Sequence, residues 1–311
     1  MELPNKKIPL IVEQIRNFQL EERSDVKTIS YSQSSTFRHC PHRWYLHYVK
    51  KLAESPPSIA TVFGTAMHET LQNYFTVLYD NSTLEADNID LHAFLEERLR
   101  IVYSEELSRY GKSFCTQKQL EEHYQDGCEI LTAFLSLRHK YFSKRNMYLV
   151  GIEIPLYQEI IKGVYFRGYV DLVLYDSEND KFLIFDIKTS KGGWAAKDKS
   201  DQIKIGQLHL YNIFFSKQFN IPIEKVEAEY FIVRRKVMTL GATGMQVSRI
   251  QTFKPPQGKA KRNETLRAIT DFISEAFTEE GTHVDKAYEA RPSKTTCRFC
   301  EFNKTEHCIG C

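Results

Sequence analysis

The stretch from Val164 to Lys191 constrains the chain most. It holds two apolar strand patterns, "VYFRGYVDLVLYD" and "KFLIFDIKTSK", separated by the polar residues "SEND". Two such runs across so short a turn form an antiparallel hairpin. The second run ends unusually. Side chains alternate along a strand, so Asp186 and Lys188 project on the same side as Phe182 and Ile184. A carboxylate and an amine therefore stand where the pattern places core. Asp171, in the first run, alternates against Val170 and Leu172. If the strands pair, three charged groups can converge on one face. A buried carboxylate without a partner is costly, and two side by side repel unless a cation lies between them. A divalent metal resolves this, because Mg2+ and Mn2+ favour carboxylate and carbonyl oxygens. A buried Asp186–Lys188 salt bridge is the plain alternative, and the strands alone do not choose between the two.

Around this hairpin the period changes twice. Ser32–Val49, with Ser32 or Ser34 as N-cap, reads as a helix, and so does Thr65–Tyr79, where Met67, Leu71, Tyr74, Phe75 and Leu78 keep helical spacing. Two longer helical patterns cover Asp90–Tyr110 and Gln117–Lys144. "LVGIEIPLYQEI" is a strand preceding the hairpin. After it come a helix over Gln202–Lys217, a strand in "VEAEYFIVRR", more β structure in "VMTLGATGMQVSRIQTF" and a helix over Asn263–Phe277. The expected fold is mixed α/β: a sheet flanked by helices, with a helical insertion or cap over 80–145, all within one domain of 311 residues. "KGGW" (Lys191–Trp194) reads as a mobile loop after the charged strand. No phosphate-loop motif occurs, so no ATPase motor is expected.

The net charge is +2 and the composition is that of a soluble globular protein. No apolar run approaches the ~20 residues that span a bilayer, and the first residues are too mixed for a signal peptide. A cytoplasmic protein without membrane contact is the expectation. Basic clusters at Arg138–Arg145, Arg234–Lys236 and Lys254–Arg262 read first as solvated faces.

Several short motifs occur in one order: "ISYSQSSTFRHCPHRWYLHYVKKL", "FGTAMHETLQNYF", "GYVDLVLYD", "FDIKTSK" and "GQLHLY". Together they resemble the RecB-like branch of the PD-(D/E)XK nuclease superfamily, from about Ser30 to Cys308. The resemblance implies a restriction-endonuclease-like core and a metal-dependent nuclease. Its expected substrate is DNA, single-stranded or at ends, cut as an exonuclease by a metal-activated water. It implies Mg2+ or Mn2+ held by His68, Asp171, Asp186 and the backbone of Ile187, with Asp171, Asp186, Lys188, Gln207 and Tyr211 as the catalytic set. Asp186 stands where many members carry glutamate. From the residues alone, His68 beside Met67 and Leu71 reads as a core histidine, and Gln207 with Tyr211 as a polar stripe one helical turn apart. Glu153 is a candidate outer acid. A helicase or a CRISPR-adaptation protein is the expected partner. A nuclease-fold DNA-binding subunit and an iron–sulfur redox protein are the rival functions.

Seven cysteines are present, four of them (Cys297, Cys300, Cys308 and Cys311) in the last fifteen residues. In a cytosolic protein such clustering points to metal rather than disulfides. The tail spacing alone suggests zinc, Zn2+. The resemblance implies a 4Fe-4S cluster on Cys40, Cys297, Cys300 and Cys308, clasping 290–311 to Cys40. Seven residues separate Cys300 from Cys308, more than the family's usual spacing, which leaves Cys311 as its competitor.

Overall fold

The computed structural model describes residues 8–53, 56–142, 145–237, 239–240, 245–246 and 248–309. Helix α1 (Leu10–Arg16) and a three-residue strand, β1 (Lys27–Ile29), come first; neither is long enough to show a period. Helix α2 (Tyr31–His39) is capped by the Ser30 hydroxyl, which accepts from the Gln33 amide. The single helix expected over Ser32–Val49 is broken at Cys40, whose backbone is extended (φ −159°, ψ 102°). Pro41 is the reason, since its ring crowds the preceding residue out of the helical region. Helix α3 (Pro41–Trp44) then restarts and runs into a π turn to Val49. Helix α4 (Ile59–Thr76) begins before its apolar stripe, because Ser58 and Thr61 form a reciprocal capping box. Helices α5 (Thr83–Asp87), α6 (Leu91–Tyr110) and α7 (Gln117–Tyr141) follow.

Next come strands β2 (Met147–Ile161), β3 (Val164–Asp176) and β4 (Lys181–Ser190), helices α8 (Ala196–Ser200) and α9 (Gln202–Gln218), and strand β5 (Val226–Arg234). A small hairpin of β6 (Thr239–Leu240) and β7 (Met245–Gln246), strand β8 (Ile250–Phe253), helix α10 (Lys259–Ala276) and the short α11 (Lys294–Cys297) complete the order. The central sheet is mixed: β3, β4, β5 and β8 are successive neighbours, β2 runs along one edge of β3, and β1 shares the other edge with β4. β4 and β5 are parallel, joined through α8 and α9; the β3–β4 hairpin is antiparallel, as expected.

Helices cover both faces. Phe166, Ile184, Leu208 and Phe272 belong to the core under α9 and α10. Phe75, Phe134, Leu172 and Phe185 belong to the core under α4 and α7. β2 follows β3 along one side. On the other side β1 covers only Val164–Phe166, and β4 only Leu172–Asp176. Residues 167–171 of β3 therefore have no strand partner on that side. This gap positions the site. Among the described residues no helix is long and apolar enough to cross a membrane.

Candidate active site

The hairpin strands part at the charged residues. Their last paired residues are Leu172 and Phe185, after which β4 continues alone with β5 to Ser190. Asp171 bridges the opening: its Oδ2 accepts the Ile187 amide at 2.7 Å, replacing a strand carbonyl. The simple alternation expected here does not hold, because Val170 packs in the α9-side core and Leu172 in the α4-side core. β3 changes face at Asp171. β2 does the same alongside, where Ile152 and Ile154 divide between the two cores and Glu153 between them has φ +51°. A left-handed non-glycine residue inside a strand is strained, and such strain collects at functional sites.

Asp186 and Lys188 stand as the alternation requires. Asp186 is 1% exposed, and the Lys188 ammonium lies 2.7 Å from its Oδ2. The approach lacks hydrogen-bond direction, so Oδ2 is buried and accepts no hydrogen bond. The contact is an ion pair rather than a directed hydrogen bond. Lys188 keeps a third of its side chain open to solvent.

Helix α4 crosses the parted strands with a stripe of every fourth residue. Gly64 faces Thr189 of β4, where a Cβ would approach the hydroxyl to 3.3 Å. His68 puts Nδ1 3.7 Å from Asp171 Oδ2. Gln72 donates to Glu153 Oε1 of β2 at 2.6 Å. His68 keeps a quarter of its side chain exposed, so it opens on the site rather than being sealed in the core. Gln72 was absent from the sequence reading, although its place one turn beyond His68 is a usable signal. From the opposite face, α9 supplies Gln207, which donates to the Tyr211 hydroxyl at 2.7 Å. Tyr211 is buried beneath the carboxylates, 5% exposed.

The electrostatics bind these residues into one unit. Burial, then the neighbouring charge of Asp186, holds Asp171 well above the ordinary carboxylate range, and Glu153 adds to this. Burial also raises Asp186, with Lys188 opposing. For Lys188 burial alone would favour the neutral amine, but Asp186 and Asp171 outweigh it and hold the ammonium charged. Burial and the Lys188 charge push His68 down to about 4, leaving a neutral imidazole at pH 7. Burial lifts the Tyr211 hydroxyl, and Asp186, Asp171 and Glu153 push it further.

Two carboxylates beside one lysine, with a neutral imidazole at the same opening, are the donor chemistry of a hard divalent cation. The donors do not close around a point, however. Among the described residues no three His, Cys, Asp or Glu groups come together as a metal cage. Asp171 Oδ2 is engaged by the Ile187 amide, and Asp186 Oδ2 faces Lys188. The expected set His68, Asp171, Asp186 and Ile187 is brought to one place without forming a finished site.

The "KGGW" loop is anchored, contrary to its reading as mobile. The Gly193 amide donates to Ser190 Oγ. Gln251 of β8 accepts from the Trp194 amide at 2.8 Å and donates to the Trp194 carbonyl at 3.0 Å. Trp194 packs against Tyr230, with ring centroids 4.5 Å apart.

Far along the chain, Cys40, Cys297, Cys300 and Cys308 line one cavity. Cys311 lies outside the described residues. Backbone amides point at the sulfurs: Arg43 and Arg291 donate to Cys40 Sγ at 3.5 and 3.4 Å. Polar contacts tie the two chain segments together. Arg43 pairs with Glu301 at 2.6 Å, His47 meets the other Glu301 oxygen at 2.7 Å, and His42 meets the His307 carbonyl at 3.1 Å. The thiols fit a soft metal, zinc or iron–sulfur alike. The cavity measures ≈ 20 Å³, room for about one water. Among the described residues these thiols, like the carboxylates, do not close around a point.

Residues 28–305 match the family model of the PD-(D/E)XK nuclease superfamily. No curated protein matches the chain.

Proposed function

The chain belongs to the PD-(D/E)XK nuclease superfamily, and from that premise we propose that it is a divalent-metal-dependent deoxyribonuclease acting on single strands or DNA ends. The observation that carries this reading is the parting of β3 and β4 around the Asp186–Lys188 pair, with Asp171 and His68 at the same opening. His68, Asp171, Asp186 and the Ile187 carbonyl would hold Mg2+ or Mn2+. Such an ion, when bound, lowers the pKa of a water and offsets phosphate charge. Lys188 contributes a fixed positive charge and hydrogen bonds to the attacking water or a phosphate oxygen. Asp186 holds that ammonium in place. Tyr211, which is mostly buried and receives a hydrogen bond from Gln207, supports the pair from below.

The cysteine clasp is read as structural, holding a thiolate-bound metal group: a 4Fe-4S cluster by resemblance, with zinc as the smaller alternative. A helicase or CRISPR-adaptation partner remains part of the reading. The open arrangement of the metal donors favours a second reading, a nuclease-fold DNA-binding subunit. End-labelled and circular DNA, single- and double-stranded, incubated with Mn2+ and with excess EDTA, tests both. Metal-dependent loss of the linear single strand, with circles spared, is the expected result. Binding without cleavage in Mn2+ favours the binding subunit.

A further inference from the structure

Among the described residues, one guanidinium beside the carboxylate centre has no counter-ion. Strands β4 and β5 run parallel with Lys188 opposite Ile232 and Ser190 opposite Arg234. Residues paired across strands share a face, and so do residues two apart. Arg234 thus springs from the face that carries Asp186 and Lys188. It stands one strand across and two residues on, roughly 8 Å from Lys188 by ordinary strand spacings.

The cations around it are satisfied. Arg235 and Lys236 both pair with Asp126, at 3.2 and 2.8 Å, and Arg249 pairs with Glu129. Among the described residues Arg234 has no ion pair, and its Nε is buried without a hydrogen-bond partner. Burial pushes the guanidinium below its ordinary value, and no carboxylate opposes that. A partly buried cation left unpaired is unfavourable unless an anion joins it.

The surroundings are built to this side chain. Gly193 has φ +85°, and a Cβ there would collide with Arg234 Nε and with Gln251 Oε1. Only glycine lets the loop after Lys188 lie against the guanidinium. Ser190 and Gln251 hold that loop in place through the Gly193 and Trp194 backbone.

We propose that Arg234 is a phosphate-positioning residue, receiving the phosphodiester next to the one cleaved at Lys188 and so setting the register of the strand. The inference rests on the nuclease reading above. A guanidinium forks onto two phosphate oxygens, where a lysine offers only a point charge. A contact of this kind fixes register without reading sequence.

The test uses the full chain and single-stranded DNA oligonucleotides in which one linkage at a time is a neutral methylphosphonate. Cleavage is followed with Mn2+, and binding in EDTA by fluorescence anisotropy. In the unaltered protein, neutralising one linkage adjacent to the cut should raise KM about tenfold and leave kcat nearly unchanged. Arg234→Gln should raise KM equally on the all-phosphate strand and become indifferent to that linkage. It should also lower the salt slope of binding by about 1. Arg234→Lys should restore the slope but not the KM, and it serves alone if the glutamine variant does not fold. The proposal is overturned if no single linkage matters to the unaltered protein, or if Arg234→Gln keeps the same linkage sensitivity. If no DNA is cut, yet binding shows one sensitive linkage that Arg234→Gln abolishes, the nuclease reading fails and the phosphate site stands.

Discussion

The carboxylate centre and the cysteine clasp each gather side chains that suit a metal, and they are supported in opposite ways. Asp171, Asp186 and Lys188 sit on strands bonded to neighbours along most of their length, with a helix on each face. The clasp has α3 and α11, each four residues long, and a web of side-chain contacts between Arg43 or His42 and the tail. At the centre the fold holds the ligands. At the clasp, side-chain contacts between distant segments hold the thiols near one another. The centre can also be poor for stability, since raised carboxylates mean that ionising them opposes burial.

The largest effect should come from the clasp. Cys40→Ala and Cys297→Ala should each lose bound metal and solubility, because metal binding and folding are coupled, on the order of 10 kcal/mol for structural zinc. Metal and sulfide analysis with thermal melts checks this; iron with sulfide identifies the cluster, and zinc alone replaces it with a single ion. A Cys40→Ala protein with unchanged metal and melting would erase the contrast.

The centre should answer differently. Lys188→Ala and Asp171→Asn should cut the cleavage rate at least ~100-fold while the melting temperature moves by no more than about 3 °C. Asparagine keeps an oxygen for the Ile187 amide. A large melting shift would mean that this centre also carries the fold.

Two smaller changes sharpen the boundary. Gln72→Ala frees Glu153 from its donor and should slow cleavage about tenfold, with melting unchanged. Glu301→Ala removes the partner of Arg43 and His47; it should cost roughly 1 kcal/mol, seen as a small drop in melting temperature with the cleavage rate intact.

Much of the centre was legible because its signals are local. Alternation placed Asp186 and Lys188 together, the polar turn fixed the hairpin, and helical spacing set Gln207 beside Tyr211. The break at Cys40 was equally local, and Pro41 signals it. Strand β1 left no signal, since three residues acquire meaning only against Val164–Phe166 of β3. The reversal of face at Asp171 was also hidden, because it depends on the distortion at Glu153 in the neighbouring strand.

By itself, then, the order of residues determined which of the longer segments become strand or helix and which chemical groups each one carries. Those choices follow from backbone periodicity over a few residues. The tertiary structure alone decided which charges find partners. Arg234 and Arg235 are neighbours of the same type, yet Arg235 meets Asp126 and Arg234 has no ion pair among the described residues. That outcome depends on the register of β5 against β4 and on where α7 lands, contacts between residues far apart in the chain. Side-chain pairing falls off within a few ångströms, so only the assembled fold brings a carboxylate within reach of one arginine and leaves the next one open.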